Sequence, residues 1–149
     1  MNKLSFHILE PLRFPLINRI YKQFYPAGKA KKDEVIWVGE DEKQIISCVR
    51  FKTIEDTHLL TGMLVIPEYR GIGISEQLLS ATLTHIETKP CYCFAFSHLV
   101  PLYQKAQFEV IETHELPHFL ASRIARYSAS GKDLVPMRYQ KPALSQNNC

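Results

Sequence analysis

The sequence predicts an α/β protein in which a mostly antiparallel sheet, flanked by helices, contains one parallel strand pair. Between residues 35 and 66, apolar runs are joined by turns of a few residues, which is typical of an antiparallel meander. A helical stripe then begins at Gly71 and stops before Pro90. The apolar strand that follows is reached by a helical crossover, which predicts that it lies parallel to the strand before the helix.

The N-terminal elements are a strand over Leu4–Leu9 and a helix. Pro11 and Pro15 frame the helix start, and its apolar residues recur at helical spacing until Pro26. Three strands follow after a basic loop, over Val35–Val38, Gln44–Phe51 and His58–Ile66.

The second half alternates helices and strands. After the stripe that begins at Gly71, the run CYCFAF (91–96) reads as a strand. A short helix over 98–106 and a strand over 108–112 come next. Leu116–Tyr127 has helical spacing and Gly131 is placed to end it, which leaves Leu134–Tyr139 as the last strand.

The composition is that of one globular domain. The chain has 149 residues, of which 46% are apolar and 22% charged, and this excludes global disorder. We expect a single domain over residues 1–140 and a flexible polar tail over 141–149. A net charge of +3 indicates neither a nucleic-acid nor a membrane partner, and no apolar run is long enough to cross a bilayer. We therefore expect a cytoplasmic protein.

The cysteines indicate core thiols and no metal. Their spacing forms no disulfide framework. Cys91 and Cys93 project from the same face of a predicted strand, with His98 nearby, but no fourth ligand accompanies them.

The stretch VIPEYRGIGISEQLL (65–79) places two glycines between a strand and a helix. A helix start presents unpaired N–H groups and the positive end of the helix dipole. Gly71 and Gly73 have no Cβ to keep a phosphate away, so the amides of residues 71–75 can close around a pyrophosphate. The stretch lacks the lysine of a Walker A loop and the third glycine of a dinucleotide fingerprint. As a bare tripeptide, GIG is also compatible with a structural turn.

The residues around these glycines resemble the acetyl-coenzyme A signature of the GNAT superfamily of N-acetyltransferases, R/QxxGxG/A. Arg70 and Gly73 match that signature, and the small Ser75 replaces its last Gly or Ala. A second segment, LYQKAQF (102–108), is similar to the family's "lYxkxGF", with Gln107 where glycine is usual. The resemblance covers roughly residues 4–139 and implies the GNAT acyl-CoA N-acyltransferase fold, with a splayed central parallel strand pair.

The resemblance implies acetyl-CoA as cosubstrate, an amine of a small molecule or peptide as acceptor, and direct attack of that amine in a ternary complex. It implies that backbone groups at residues 64–66 bind the pantetheine arm and that the glycine turn binds the pyrophosphate. Tyr103 matches the family's general acid. The implied cofactor residues are Leu64, Val65, Ile66, Arg70, Gly71, Ile72, Gly73, Ile74 and Ser75.

No general base stands out among the residues with suitable chemistry, which are Glu55, Glu112, His114, Glu115 and His118. We hypothesise that the first helix and Leu116–Tyr127 shape the acceptor pocket. A non-catalytic acyl-CoA-binding module and an unrelated α/β domain are the alternatives to an enzyme. The acceptor and the oligomeric state, including a homodimer, are not indicated by any residue pattern.

Overall fold

The computed structural model describes residues 3–26 and 28–141. The described strands are β1 (Leu4–Ile8), β2 (Val35–Asp41), β3 (Gln44–Ile54), β4 (Thr57–Val65), β5 (Cys91–Phe96), β6 (Phe108–Val110) and β7 (Leu134–Tyr139). The helices are α1 (Phe14–Phe24), α2 (Ile74–Ala81), α3 (Leu83–Ile86), α4 (Val100–Lys105) and α5 (His118–Ala129). None of these helices is long and apolar enough to cross a membrane. Apart from Lys141, the predicted tail lies outside the described residues.

All the described strands form one sheet, in the order β1-β2-β3-β4-β5-β7-β6. Neighbouring strands are antiparallel except β4 and β5, which confirms the predicted mixed sheet with one parallel pair. The parallel pairing is short and ends at Leu60 and Cys93. Beyond these residues β4 and β5 diverge, so the sheet opens in its middle.

The helical stripe predicted from Gly71 to before Pro90 is two helices and not one. α2 ends at Ala81 and α3 begins at Leu83, with buried Thr82 between them. The Thr82 hydroxyl donates to the carbonyl of Leu79 at 2.8 Å. A threonine hydroxyl that bonds back to the preceding turn competes with the helical backbone pattern. Helical spacing of the apolar residues continues through such a break, because both pieces pack on the same sheet face.

The helices cover both faces of the sheet. On one face, Leu60 packs in a cluster with Leu78 and Leu79 of α2 and with Tyr103 of α4. On the other face, the cluster that holds Leu59 also contains Leu120 and Ile124 of α5.

α1 lies on the same face as α5. Cys48 and Lys52, which alternate along β3, face that side, opposite Leu64 and Leu59 of β4. Cys48 and Leu64 pack in the cluster of α1, while Leu59 packs under α5. The opening between β4 and β5 therefore has α2 and α4 on one side and α1 and α5 on the other.

Two stacked histidines lie at the end of the sheet away from this opening. The rings of His58 and His85 are 4.3 Å apart between centroids, and His58 Nε2 lies 2.7 Å from the Thr88 hydroxyl. His58 Nδ1 and His85 Nε2 are buried without a partner among the described residues. Burial is the main cause that lowers the pKa of both rings, and nearby Lys89 lowers both pKa values further. The proximity of His85 also lowers the pKa of His58, whereas Asp56 raises it.

We expect the free energy of unfolding to fall as the pH drops from 7 to 5. The unfolded chain takes up protons at the ordinary histidine pKa of about 6.5, whereas the folded pair resists them to lower pH. The neutral histidine pair therefore makes its full contribution to the free energy of unfolding above about pH 6.5, and this contribution decreases as the pH falls below that value. Urea unfolding at several pH values should show that the free energy of unfolding depends less steeply on pH in His85→Gln than in the wild type. His118→Gln, at an exposed histidine of α5, should leave the slope unchanged, and an unaltered slope in His85→Gln would contradict the assignment.

Candidate active site

The two glycines of the sequence motif form an open turn between β4 and α2. Gly71 and Gly73 have φ angles of 82° and 84°, in the left-handed region that favours glycine. A Cβ built at Gly71 meets no atom within 4 Å, and one at Gly73 meets only Glu76 Oε1 at 3.9 Å. The outer side of this turn is therefore free to receive a ligand.

The turn leaves a run of backbone donors unpaired. Gln77 is the first residue of α2 whose N–H bonds back, to the carbonyl of Gly73 at 3.1 Å. The N–H groups of residues 71–76 make no hydrogen bond with any other described residue. Converging amides at the positive end of a helix dipole favour an anion such as a phosphate.

A cleft of about 690 Å³ runs from this turn into the opening between β4 and β5. Seven of the nine predicted cofactor residues line it: Leu64, Val65, Arg70, Gly71, Gly73, Ile74 and Ser75. Of the other two, Ile66 is buried and Ile72 is 61% exposed at the tip of the turn. The remaining lining residues are Phe24, Tyr25, Met63, Tyr69, Glu76, Phe96, His98, Leu99, Leu102 and Lys105.

The backbone of β4 faces the cleft at Met63 and Val65. Both backbone groups of Ile66 are already paired, its N–H with Ile46 and its carbonyl with Tyr69. Because alternate residues of a strand direct their backbone groups to opposite sides, Val65 and Met63 direct theirs away from β3. The Val65 carbonyl accepts a hydrogen bond from Arg70 Nε at 2.9 Å, so the arginine side chain folds back onto the strand. Met63 was absent from the sequence prediction.

A bulge at Gly62 marks the point where β4 leaves β5. The register between β3 and β4 shifts between Cys48 and Arg50, and Gly62 has a φ of 68°. The hydroxyl of Tyr21 donates to the Gly62 carbonyl, and a Cβ at Gly62 would lie 2.6 Å from both that hydroxyl and Arg50 Nε. The Arg50 guanidinium lies 5.0 Å from the centroid of the Tyr21 ring. The side chains of Tyr21 and Arg50 thus pack directly against the bulge, and they leave no room for a residue other than glycine at position 62.

We expect Tyr21→Phe to destabilise the protein by about 1–3 kcal/mol, the cost of leaving a buried carbonyl without its donor. Urea unfolding measures this loss. The matched control is Tyr92→Phe, because Tyr92 is also buried but its hydroxyl bonds to no described residue. Equal unfolding midpoints for the two variants would mean that the bond to Gly62 contributes nothing to stability.

Tyr103 lies on α4, beside the cleft but not in its lining. Its side chain is 4% exposed and packs edge-on against Phe108, with ring centroids 5.8 Å apart. Burial raises the pKa of Tyr103 well above the ordinary tyrosine value, and the nearby Cys93 and Tyr25 add to this effect. The phenol is therefore neutral over the physiological range. Leu102 and Lys105, which neighbour Tyr103 on α4, line the cleft, so Tyr103 lies close to the cleft wall.

Other cleft residues were missed by the sequence prediction. Tyr69 donates its hydroxyl to Asp41 at 2.6 Å, and this bond raises the pKa of Tyr69. Lys105 of α4 reaches Glu76 of α2 at 3.4 Å across the mouth of the cleft. A second cavity, of about 200 Å³, shares these last two residues and is walled by Leu79, Leu83, Leu102 and Ala106. The sequence marks these residues only by position: Tyr69 follows the end of β4, Glu76 lies in the first turn of α2, and Lys105 lies two residues after Tyr103.

The candidate bases do not gather at the cleft. Glu112 and Glu115 cap each other's backbone in a short turn before α5, and Glu55 lies in the β3–β4 turn with a φ of 48°. None of Glu55, Glu112, His114, Glu115 and His118 lines the cleft. Within residues 3–26 and 28–141, no group of three or more possible ligands could hold a metal ion, and Cys91 and Cys93 are buried in the core.

Comparison with solved structures finds the same fold in N-acetyltransferases. A chain of N-acetylglutamate synthase from Neisseria gonorrhoeae, complexed with coenzyme A and N-acetyl-glutamate, aligns with a TM-score of 0.67 at 15% identity. The alignment covers 93% of the present chain but only 35% of the synthase chain, so the present chain spans about a third of that relative.

Two smaller enzymes align over nearly their whole length. The ribosomal-protein-S18-alanine N-acetyltransferase of Escherichia coli aligns with a TM-score of 0.67 at 14% identity, over 100% of the present chain and 99% of its own. Naa50 of Arabidopsis thaliana, in complex with the bisubstrate analogue CoA-Ac-MVNAL, aligns with the same score and identity, over 93% and 99%. No curated protein sequence matches this chain significantly.

The family model described as "Acetyltransferase (GNAT) domain" matches residues 32–110, which is more than half of the 149 residues. The matched segment includes the glycine turn, the diverging strands and Tyr103. These are the parts that form the cleft and its wall, and the seven-stranded mixed sheet agrees with the fold of the aligned acetyltransferases. The chain therefore belongs to the GNAT acetyltransferase family.

Proposed function

We propose that this protein transfers the acetyl group of acetyl-CoA to a primary amine of a small molecule or peptide. The observation that carries the proposal is the run of unpaired N–H groups over residues 71–76, which opens into a cleft between two diverging strands. A phosphate-bearing ligand is the chemistry that such donors favour. The solved relatives that hold coenzyme A or acetyl-CoA support the same ligand class.

In this proposal the glycine turn binds the pyrophosphate through the amides of Gly71, Gly73 and Ser75. The free backbone edge at Met63 and Val65 binds the pantetheine arm, as a strand neighbour would. Leu64 and Ile66 contribute packing, since the backbone groups of Leu64 face β3 and both backbone groups of Ile66 are already paired. The cofactor is thus held mainly by backbone groups, and the bulge at Gly62 sets the direction in which they point.

The proposed reaction is direct attack of the amine nitrogen on the thioester carbon, which forms a C–N bond and breaks the C–S bond. An alkyl amine with a pKa of about 10.4 must first lose a proton, and we assign that proton to water in the cleft. The departing thiolate takes a proton from the hydroxyl of Tyr103. The second proton that the nitrogen loses as the amide forms returns through water to the Tyr103 oxygen and restores the neutral phenol. A neutral, buried phenol next to the cleft wall suits this role, because it holds its proton until a base forms beside it.

A non-catalytic acyl-CoA-binding module is the second candidate, and one observation favours it. Tyr103 is buried and is not among the residues that line the cleft. A protein with this arrangement that bound acetyl-CoA without releasing thiol would use the same turn and the same strand edge for binding alone.

Two measurements test the proposal. Calorimetry with acetyl-CoA should detect one site per chain, and no binding would exclude both candidates. Thiol release from acetyl-CoA, followed with a panel of small amines and short peptides, should then show turnover with at least one acceptor. Tight binding without thiol release above the rate without protein would favour the binding module.

A further inference from the structure

The opening between β4 and β5 is flanked by positive charge on the face that α1 and α5 cover. It begins at Thr61 and Phe94, the first residues beyond the last parallel pair. Arg50 of β3 is the register partner of Thr61, and Tyr127 of α5 packs its ring 6.1 Å from that of Phe94. At the start of the opening, β4 is therefore flanked by β3 and β5 by α5, and each of these two neighbouring elements bears basic side chains.

On the α5 side, two cations gather on the Tyr127 side chain. Arg123 Nη1 donates to the Tyr127 hydroxyl at 3.3 Å, and Lys132 Nζ lies 5.4 Å from the centre of its ring. Neither cation forms an ion pair within the part of the chain that the structure describes. The carboxylate of Asp133 instead accepts a hydrogen bond from Ser97 at 2.7 Å.

On the α1 side, the loop before β2 is anchored at the opening by Arg50. Arg50 Nη1 donates to the carbonyl of Lys29 at 2.6 Å, and the arginine shares Glu34 with Lys52. The Arg50 side chain is 7% exposed, and its Nε has no partner among the described residues. The loop exposes three lysines, Lys29, Lys31 and Lys32, and none of them makes an ion pair with any described residue. The nearby carboxylate of Asp33 offsets one of these three charges.

We infer that the acceptor is an α-amine compound that carries one or more carboxylates, either a free acidic amino acid or the N-terminus of an acidic peptide. The inference rests on the proposed function and names the substrate class of the same cleft. Unpaired cations on both sides of an opening create a positive potential between them, which attracts an anionic acceptor and repels a polyamine. The buried Arg50–Glu34 pair adds little to this field, because its charges largely cancel.

The test measures binding and not turnover, so that it stands apart from the proposed activity. Calorimetry with the CoA-saturated protein compares three C-terminally amidated tripeptides that differ only in charge: Ser-Glu-Glu, Ser-Gln-Gln and Ser-Lys-Lys. Free glutamate and glutamine form a second pair of ligands. We expect the acidic member of at least one pair to bind about three- to tenfold more tightly than its neutral counterpart, as two partly exposed ion pairs allow. The preference should shrink as salt is added.

Three double variants locate the effect. Arg123→Gln with Lys132→Gln should abolish the preference for acidic ligands, and Arg123→Lys with Lys132→Arg should keep it. The control is Lys3→Gln with Lys141→Gln, which removes the same number of positive charges at positions away from the opening. This control should leave the preference for acidic ligands unchanged.

The inference fails if no acidic ligand binds more tightly than its neutral counterpart, or if the preference survives in the variant that lacks Arg123 and Lys132. It also fails if none of the five ligands binds. Tighter binding of glutamate than of the acidic peptide would assign the site to a small molecule. A charge preference without thiol release would count against the proposed activity alone, whereas acetylation of neutral and acidic acceptors alike would count against the inference alone.

Discussion

Tyr103→Phe is expected to lower turnover by about 10²- to 10⁴-fold, the usual contribution of a positioned general acid. The variant removes one hydroxyl and keeps the ring that packs against Phe108. A thiolate with a parent pKa near 8.5 must then leave without a proton from the protein. Binding of acetyl-CoA should not change, because the hydroxyl acts on the leaving group only in the transition state. The measurement is thiol release with an acceptor that turns over in the wild type, together with calorimetric binding of acetyl-CoA.

Tyr139→Phe is the matched control for this variant. Tyr139 also packs against Phe108, with ring centroids 5.7 Å apart, and its hydroxyl donates to Glu87, which does not line the cleft. The control should retain wild-type turnover. Turnover in Tyr103→Phe equal to that of the control would remove Tyr103 from the reaction and make it a packing residue of α4.

Gly73→Ala is expected to weaken acetyl-CoA binding by about tenfold or more. The left-handed conformation that residue 73 adopts costs an alanine roughly 1–2 kcal/mol, which the loop can avoid only by turning its amides away from the ligand. The added Cβ would also occupy open space beside the turn. Because only Glu76 Oε1 approaches that position, at 3.9 Å, the fold itself has room for the substitution.

Gly131→Ala separates strain from ligand binding. Gly131 follows α5 with a φ of 96°, and a Cβ there meets no atom within 4 Å. Both variants should lose a similar amount of stability in urea unfolding, but only Gly73→Ala should lose affinity for acetyl-CoA. Equal affinities for the two variants would show that the glycine turn does not bind the cofactor.

Local signals accounted for most of the elements and for the glycine turn. Helical and strand periodicity depend on residues a few positions apart, so α1, β5 and α5 could be located from apolar spacing alone. The turn at Gly71 and Gly73 was equally readable, since its positive φ angles and its helix start depend on adjacent residues. The helix break at Thr82 was missed, because apolar periodicity does not report a side-chain hydrogen bond to the previous turn.

The chain sequence by itself determined the fold class, the parallel crossover and the position of the glycine turn, because each depends on contiguous residues. The tertiary structure decided which distant residues meet. Tyr21 and Arg50 meet at the Gly62 bulge, Met63 rather than Ile66 turns its backbone toward the cleft, and Arg50 of β3 binds the carbonyl of Lys29 in the loop before β2. These contacts depend on one register shift between β3 and β4 and on the face to which each helix packs, and neither is encoded within a short stretch of chain.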